Sequence, residues 1–327
     1  MASEPHGIYR MHRAGAPDVM AFEPAAPQAP GPGQVLIEHE AVGLNYIDTY
    51  HRSGLYPLPL PTRLGVEAAG RAIAIGDGVE GIVVGDAVAY AGGLGAYGTW
   101  NLMPANRLVK LPPSVSTEVA AASLLKGLTA AYLLERTYPA TAETTMLVHA
   151  AAGGVGLILC QWARAIGATV IATVGSEAKA DLALANGADH AILYRQEDVP
   201  ARVRELTGGA GVQVSYDSVG AATCDMSLDS LAPLGLFVSY GNASGPITAI
   251  SPQTLQDKGS LFFTRPTLAT YAARTEDLRA LAAAFFAQLD SGAVRIHINQ
   301  RYPLSDLVQA HLDLEARKTT GSTVLIP

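Results

Sequence analysis

Residues 145–156 read TMLVHAAAGGVG, and this segment decides the fold of the chain. It begins as an apolar strand pattern, and the run 155–166 that follows has the period of an amphipathic helix. The turn between them keeps two glycines of the GxGxxG pattern, Gly153 and Gly156, with Ala151 in place of the first. Lacking a Cβ, Gly153 lets a pyrophosphate approach the backbone and Gly156 lets the helix pack closely on the strand. A turn of this kind, at the N-terminus of a helix, predicts dinucleotide binding.

Strand and helix patterns alternate on the C-terminal side of this turn. Strands are predicted at 145–149, 169–174, 190–193, 212–216 and 236–240, and helices at 155–166, 177–186, 199–207 and 222–231. Strands that alternate with helices of this length are typical of parallel pairing with crossover helices. The pattern therefore predicts an α/β region with a doubly wound parallel sheet of the Rossmann type.

The N-terminal part of the chain has a different pattern. After a Pro-rich segment at 23–34, short strand-like stretches at 35–40, 70–75, 87–91 and 107–111 are separated by Gly-rich turns, which predicts a mostly antiparallel domain. A helical pattern fills 117–138, and we expect a helix at 275–291 and a strand at 322–326 to rejoin the first domain. We therefore predict a catalytic domain from residues 1–122 and 267–327, with the nucleotide-binding domain, 123–266, inserted in it.

The composition narrows the classes of function. Hydrophobic residues make up 49% and charged residues 16% of the 327 residues, a globular balance. No apolar run is long enough for a membrane span, and no signal peptide is evident, which indicates a cytoplasmic protein. The net charge of −7 argues against nucleic acid as a partner. Two cysteines and eight scattered histidines provide neither a disulfide framework nor a local metal-binding pattern, so we expect no metal.

The end of the second predicted strand favours NADPH over NADH. An acidic residue there would bind the adenine ribose, but the sequence reads Thr-Val-Gly-Ser at 173–176. Nearby donors and positive charge suit a 2′-phosphate; they are Ser176, Lys179, Tyr194 and Arg195. We interpret Glu177 as an acidic residue of the first helical turn, where the helix dipole favours it.

Five segments together resemble a known family. They are HAAAGGVGLILCQWARAIGATVIATVGS at 149–176, GLNYIDTYHRSGLYP at 43–57, LKGLTAAYLL at 125–134, YDSVG at 216–220 and GSLFFTRP at 259–266. In this order they are similar to the NADPH:quinone oxidoreductases, the zeta-crystallin-like, zinc-free branch of the medium-chain dehydrogenase/reductase superfamily. The resemblance implies a Rossmann domain inserted in a GroES-like catalytic domain, NADPH as cofactor, a quinone or enone as substrate, and a homodimer.

The resemblance also implies site residues. Asn45, Tyr50 and Tyr56 match the residues that line the family's substrate pocket, whereas without the resemblance this segment is interpreted as a polar loop. The positions that resemble cofactor-binding residues are Thr129, Tyr132, Ala152, Gly153, Gly154, Val155, Gly175, Ser176, Lys179, Tyr194, Ser218, Tyr240, Gly241, Asn242, Phe262, Phe263, Thr264 and Arg317. Gly220 lies in the same turn as Ser218. We interpret Lys126 as a helix cation near the cleft rather than as a catalytic acid, and Asp217 as a turn cap rather than as a catalyst.

Where zinc enzymes of this superfamily have a cysteine and a histidine, this sequence has Asn45 and Val66. Without a metal to polarise a carbonyl, a hydride must go to an acceptor that is already electron-poor. A quinone is such an acceptor, and so is the double bond of an alkenal or enone, which is the alternative substrate class. A more remote alternative is a non-catalytic, crystallin-like protein that binds NADPH or RNA.

Overall fold

The computed structural model describes residues 6–327, and the chain forms two compact units. Unit 1 contains the chain up to Gly127 together with Arg274–Phe286 and Ile296–Pro327. Unit 2 contains Leu128–Ala273 and Ala287–Arg295. Each unit has its own sheet and its own hydrophobic core.

Strands dominate the first part of the chain. They are β1 (Gly7–Met11), β2 (Met20–Pro24), β3 (Gln34–Leu44), β4 (Thr62–Arg63), β5 (Glu67–Ile75), β6 (Ala87–Ala91), β7 (Trp100–Pro104) and β8 (Val109–Lys110). The helices of this part are α1 (Tyr46–Ser53) and α2 (Thr117–Tyr132), and a π-helical turn at Leu133–Thr137 follows α2. Short 3-10 turns occur at Pro17–Val19 and Ala105–Arg107.

Strands and helices alternate through the next part. The elements are β9 (Thr145–His149), α3 (Gly154–Ile166), β10 (Thr169–Val174), α4 (Glu177–Ala185), β11 (His190–Leu193), α5 (Val199–Leu206), β12 (Val212–Asp217), α6 (Cys224–Ser230), β13 (Leu231–Ser239), α7 (Pro252–Asp257) and β14 (Phe262–Thr264). The chain ends with α8 (Leu268–Tyr271), α9 (Thr275–Asp290), β15 (Ile298–Pro303), α10 (Leu307–Glu315) and β16 (Ser322–Ile326). Further 3-10 turns occur at Ala221–Thr223 and Leu304–Asp306.

Unit 2 has the predicted doubly wound sheet. Its strands follow the order β11-β10-β9-β12-β13-β14, and all of these pairs are parallel. The chain direction across the sheet reverses beside β9, and ligands of such sheets bind at the carboxyl ends of the strands near this point. The central strands are buried and mostly apolar, as Leu147 of β9 and Ile171 of β10 illustrate. The Rossmann prediction is confirmed.

Unit 1 is mostly β-structure, as predicted. Its main sheet has the order β15-β16-β3-β5-β6-β8, with β7 also paired to β3, and a three-stranded sheet has the order β2-β1-β4. The β3 and β5 strands pair antiparallel over most of their length, with register shifts at Leu36/Ile37 and His39/Ala41. Apolar side chains of these strands form the core together with residues of α10. Among residues 6–327, no helix is both long and apolar enough to cross a membrane.

The structure corrects the interpretation of residues 45–56 as a polar loop. Residues 46–53 form α1, which begins after Asn45 and ends at Gly54 in the left-handed conformation with φ 84°. The helix is short, and its start depends on a hydrogen bond from the Asn45 backbone N–H to the carboxylate of Asp48 at 2.9 Å. Polar residues dominate this segment, so the apolar period that reveals longer helices is weak here.

The other predicted helices and strands differ from the structure mainly at their ends. The helix predicted at 117–138 changes to π-helical geometry after Tyr132, and the helix predicted at 222–231 begins with a 3-10 turn. The strand predicted at 107–111 is shortened to Val109–Lys110 because a 3-10 turn precedes it. The strand predicted at 236–240 begins at Leu231, since a register shift lets the chain continue pairing through an irregular segment.

Candidate active site

The turn between β9 and α3 has the close backbone packing that its glycines predict. Ala150 adopts φ 52°, and its carbonyl oxygen accepts a hydrogen bond from Gly153 N at 2.9 Å. A Cβ placed on Gly156 would lie 2.5 Å from the Ala150 oxygen and 2.6 Å from the Ala151 Cα. Only glycine therefore fits at position 156 without moving the turn. The predicted residues Ala152, Gly153, Gly154 and Val155 all lie at the start of α3.

The N-terminus of α3 suits a diphosphate. The first N–H groups of a helix have no partner within the helix, and they carry a partial positive charge. At Gly153, the N-cap, an added Cβ would lie 3.2 Å from the Ala150 oxygen, a tight contact but a milder one than at Gly156. This combination of free donors and close backbone access is the arrangement that binds nucleotide phosphates.

The end of β10 brings together the residues predicted to select NADPH. Gly175 precedes Ser176, the N-cap of α4, and Lys179 lies in the first part of that helix. The hydroxyl of Tyr194 would lie 2.9 Å from a Cβ at position 175, so the phenol and this glycine are neighbours. Glu177 is exposed in the first turn of α4, as interpreted.

Asp217 holds the turn after β12 in place. One carboxylate oxygen accepts hydrogen bonds from Val219 N at 2.6 Å and Gly220 N at 3.0 Å. The other accepts from Thr223 Oγ1 at 2.6 Å and Ser227 Oγ at 2.9 Å. The carboxylate is thus fully engaged in shaping the turn, which confirms its interpretation as a turn cap.

The turn after β13 packs against this one. A Cβ on Gly241 would overlap the backbone of Ser218, so the two chain segments approach as closely as glycine permits. The Tyr240 hydroxyl forms a hydrogen bond with the Ser218 side chain, and burial raises the pKa of this phenol above its ordinary value. Asn242 is buried beside these residues. The structure therefore brings Ser218, Tyr240, Gly241 and Asn242 together at the carboxyl ends of β12 and β13.

Thr129 and Tyr132 lie one turn apart on α2, and both are buried. The Thr129 side chain forms a hydrogen bond with Tyr132, and burial raises the pKa of the Tyr132 phenol. The Tyr132 ring stacks on Tyr271 with 4.5 Å between ring centroids. These contacts fix the Tyr132 ring within unit 2.

The remaining predicted cofactor positions belong to other elements of the chain. Phe262, Phe263 and Thr264 form β14, the edge strand of the unit 2 sheet, and 59% of the Phe262 surface is exposed. Arg317 belongs to unit 1, where it follows α10 with φ 59°. Its charge lies near Tyr46 and opposes the rise that burial causes in the pKa of that phenol.

Asn45 lies in a buried polar cluster that is built around Glu67. The Glu67 carboxylate is fully buried and accepts hydrogen bonds from Asn45 Nδ2 at 2.8 Å, Lys126 Nζ at 3.0 Å and Leu125 N at 2.6 Å. A Cβ on Gly43 would overlap this carboxylate, so the glycine leaves the space that Glu67 occupies. Lys126 lies on α2, and its ammonium group forms a buried ion pair with Glu67.

Tyr50 and Tyr56 lie next to each other in unit 1. Their rings are in edge contact with 5.2 Å between centroids, and Tyr56 N donates to the Tyr50 carbonyl oxygen at 3.0 Å. Tyr50 is buried on α1, whereas Tyr56 is partly exposed after the helix. Asn45 caps the same helix, so all three predicted substrate-binding residues belong to α1 and its flanks.

A second buried network on α1 was not predicted. Asp48 Oδ2 accepts a hydrogen bond from Tyr97 Oη at 2.7 Å, and this hydroxyl lies 3.0 Å from His311 Nε2. Burial raises the pKa of Asp48 to about 7, although the bonds from Tyr97 and Asn45 oppose the rise. Burial lowers the pKa of His311 to about 3, so this ring is neutral.

The donor set around Glu67 does not fit a metal ion. Metal sites need several deprotonated ligands around the ion, but Glu67 is surrounded by an amide N–H, a backbone N–H and an ammonium group, which are all donors. Among residues 6–327, no three His, Cys, Asp or Glu side chains are grouped as metal ligands would be.

Comparison with known proteins shows similarity over nearly the whole chain. Residues 31–113 match the alcohol dehydrogenase GroES-like domain, and residues 154–288 match a family described as zinc-binding dehydrogenase. A quinone oxidoreductase from Pseudomonas aeruginosa is 51% identical, over 96% of this chain and 97% of the relative. The crystal structure of Escherichia coli quinone oxidoreductase complexed with NADPH superimposes with a TM-score of 0.96 at 46% identity, covering 98% of this chain and 100% of the other. A 2-haloacrylate reductase from Burkholderia is 40% identical over 97% of this chain and 98% of its own length.

Proposed function

The chain belongs to the quinone oxidoreductases of the medium-chain dehydrogenase/reductase superfamily, and on this premise we propose how its residues reduce a quinone with NADPH. The overall reaction converts a quinone, NADPH and a proton into a hydroquinone and NADP⁺. The observation that carries the proposal is the turn between β9 and α3, where close backbone packing and unpaired helix N–H groups suit a dinucleotide diphosphate.

NADPH is the cofactor, and we assign it to unit 2 and to the inserted segment 123–266. The diphosphate would be held by the start of α3, and the 2′-phosphate by the residues at the end of β10. The nicotinamide half would be held by the turns after β12 and β13 and by α2. We propose as cofactor-binding residues Thr129, Tyr132, Ala152, Gly153, Gly154, Val155, Gly175, Ser176, Lys179, Tyr194, Ser218, Tyr240, Gly241, Asn242, Phe262, Phe263, Thr264 and Arg317.

The bound cofactor would supply the hydride, and the protein would supply position and electrostatics. We propose that Asn45, Tyr50 and Tyr56 bind the quinone. Asn45 Nδ2 has two N–H groups, and only one is used by Glu67, so the second can donate to a substrate oxygen. The phenol rings of Tyr50 and Tyr56 present flat surfaces on which a planar ring can stack.

We propose that the reaction proceeds without zinc. The support is the chemistry of the donor set, because Glu67 is engaged by three hydrogen-bond donors and Asn45 turns its amide N–H towards it. A quinone is electron-poor enough to accept a hydride without a Lewis acid, whereas a simple alcohol needs one for oxidation. The proposal therefore excludes alcohol dehydrogenation as the main activity.

The second candidate is reduction of an activated carbon–carbon double bond. The full-length similarity to a 2-haloacrylate reductase favours it, because that relative's name describes a conjugated substrate. Both reactions use an electron-poor acceptor and a donor to the oxygen on which charge develops. The residues described above suit either substrate class.

The experiment that separates them is a comparison of kcat/KM for a naphthoquinone, a medium-length alkenal and 2-chloroacrylate, with NADPH as the reductant. We expect the quinone to be preferred by at least about tenfold, a difference of about 1.4 kcal/mol in transition-state binding. Preference for either double-bond substrate would establish the second candidate instead.

We propose that the protein is a cytoplasmic homodimer. The edge strand β14 exposes Phe262 and Phe263, and an unpaired edge with apolar side chains suits pairing with a second copy. Two unpaired cysteines, Cys160 and Cys224, agree with a reducing compartment. The net charge of −7 disfavours nucleic acid as a partner. Light scattering of the purified protein and a salt-dependent RNA shift assay test these points.

A further inference from the structure

Lys126 carries a charge into the interior of unit 1. Its side chain is 7% exposed and that of its partner Glu67 is 0% exposed. Moving two charges out of water costs several kcal/mol each, and an apolar pair of similar size avoids this cost. Stability alone is therefore a weak reason for this ion pair, and a role for the charge itself has to be considered.

The ammonium group of Lys126 has donors to spare. It carries three N–H groups, and Glu67 Oε2 accepts one of them at 3.0 Å. No other acceptor within the described residues, 6–327, takes a hydrogen bond from Nζ. A buried ammonium with unused donors is favourably placed to bind an oxygen atom of a ligand, because leaving such donors unpaired is costly.

The position of Asn45 is a second observation in favour of a ligand site. Its Nδ2 donates to the same Glu67 oxygen, Oε2, at 2.8 Å, so Nδ2 and Nζ lie side by side. The side chain of Lys126 and that of Asn45 are almost wholly buried but not sealed, whereas Glu67 has no exposed surface. The residual exposed surface of this cluster therefore belongs to the two donor residues, and the carboxylate of Glu67 accepts a hydrogen bond from each.

We propose that Lys126 is a catalytic residue whose ammonium group binds the quinone oxygen on which negative charge develops. This inference rests on the proposed quinone reductase function. In a site shielded from water, a fixed positive charge stabilises such an oxygen far more than it would in bulk solvent. Nζ keeps its proton throughout, and the proton that completes the hydroquinone comes from solvent. Glu67 is a positioning residue that holds Nζ and the Asn45 amide in place.

Two variants distinguish a catalytic role of Lys126 from a purely structural one. Lys126→Met removes the charge but leaves Glu67 buried without its cation. The double variant Glu67→Gln/Lys126→Met removes both charges, which restores a neutral interior and protects the fold. The control is Lys110→Met, which removes an exposed lysine from its ion pair with the partly buried Asp86 in the same unit.

The measurements are kcat with a naphthoquinone and the Kd for NADPH from fluorescence titration. We expect kcat to fall about 100-fold or more in both Lys126 variants, as for loss of a donor to a developing oxyanion. The Kd for NADPH is expected to stay within about threefold of the wild-type value, and Lys110→Met to match the wild type in both quantities.

Recovery of wild-type kcat in the double variant would overturn the inference, because it would show that Lys126 serves only to neutralise Glu67. A second measurement is how the loss of kcat depends on the quinone that accepts the hydride. The loss caused by Lys126→Met is expected to grow from quinones of high reduction potential to quinones of low potential, whose oxyanions are more basic. An equal loss for all quinones would also overturn the inference. Wild-type protein that turns over no quinone would instead refute the proposed function, and the inference with it.

Discussion

The carbonyl oxygen of Ala150 lies 2.5 Å from the point at which a side chain on residue 156 would begin. Strand β9 and helix α3 therefore meet through a turn in which Gly156 is required by the backbone of the protein itself. Gly153, three residues earlier, is less restricted, since an added Cβ would lie 3.2 Å from the Ala150 oxygen, a tight contact that a small shift of the turn relieves. Substitution of the two glycines is therefore expected to have different effects on stability and on NADPH affinity.

Gly156→Ala is expected to lower both stability and NADPH affinity, because the new methyl group forces the turn away from the helix. Gly153→Ala is expected to lower the Tm less than Gly156→Ala does and to weaken NADPH binding about tenfold or more, because its methyl group enters the space of the diphosphate. Thermal denaturation and fluorescence titration of both variants check this. Equal effects on the Tm would contradict the assignment of separate roles.

Lys179 is expected to discriminate between the two nicotinamide cofactors. Lys179→Met removes a positive charge from the residues at the end of β10, so the KM for NADPH should rise about tenfold while that for NADH changes little. Arg202→Met is the control, because Arg202 is a partly exposed arginine of α5 that pairs with Glu205 and lies outside the proposed cofactor residues. An equal change in the KM values for both cofactors would remove Lys179 from the 2′-phosphate site.

Asp48 gives the stability of the protein a defined pH dependence. Burial raises the pKa of its carboxyl group from 3.8 to about 7, so the folded state holds a proton that the unfolded state has lost between these values. Stability is therefore expected to fall as the pH rises through this window, by at most about 1.4 kcal/mol per pH unit. Glu67, Lys126 and Tyr97 are the titratable groups that influence it.

The check is urea unfolding of the wild type and Asp48→Asn between pH 4 and pH 8. Asparagine keeps an oxygen that can accept the bond from Tyr97, but it does not ionise. The variant is expected to gain stability relative to the wild type as the pH rises. Parallel curves for the two proteins would show that Asp48 is already ionised in the folded state at low pH.

Arg52 is expected to be a strong contributor to the stability of unit 1. Its buried guanidinium group makes two hydrogen bonds of 2.8 Å to Glu315 and one of 3.1 Å to the Gly15 carbonyl oxygen. Arg52→Lys cannot reproduce this geometry, and we expect a loss of about 2 kcal/mol or more in the free energy of unfolding.

Arg71→Lys is the matched control, because Arg71 pairs with Glu40 at the surface, where ion pairs contribute at most about 1 kcal/mol. Both variants are compared by urea unfolding at the same pH. Equal losses in the free energy of unfolding would show that the bidentate contact of Arg52 contributes no more than a surface ion pair.

Local patterns in the sequence predict most of unit 2. The strands at 145–149, 169–174 and 190–193 are found as β9, β10 and β11 with the same bounds, because buried parallel strands are continuous apolar runs bounded by turns. Gly156 and Asp217 were assigned their roles correctly, because both depend on contacts within a few residues along the chain.

The parts that sequence did not predict depend on distant contacts. Lys126 and Glu67 are 59 residues apart, and Tyr97 and His311 are 214 residues apart, so no local spacing reveals these pairs. Helix α1 was not predicted, because it is short and polar and therefore lacks a clear apolar period. Its residue Asp48 is held by residues from other parts of unit 1, which local spacing does not reveal. A lysine within the otherwise uncharged stretch 119–134 is a signal that the sequence did contain, but it was interpreted only as a helix cation.

The most direct test of the central claim is NADPH oxidation with a naphthoquinone, measured on protein treated with a chelator and compared with untreated protein. The assignment of zinc-free quinone reduction to this protein predicts rapid turnover with NADPH, slower turnover with NADH, and the same kcat before and after chelation. A protein that oxidises no NADPH with any quinone, or whose activity is lost on chelation and restored by zinc, would contradict it.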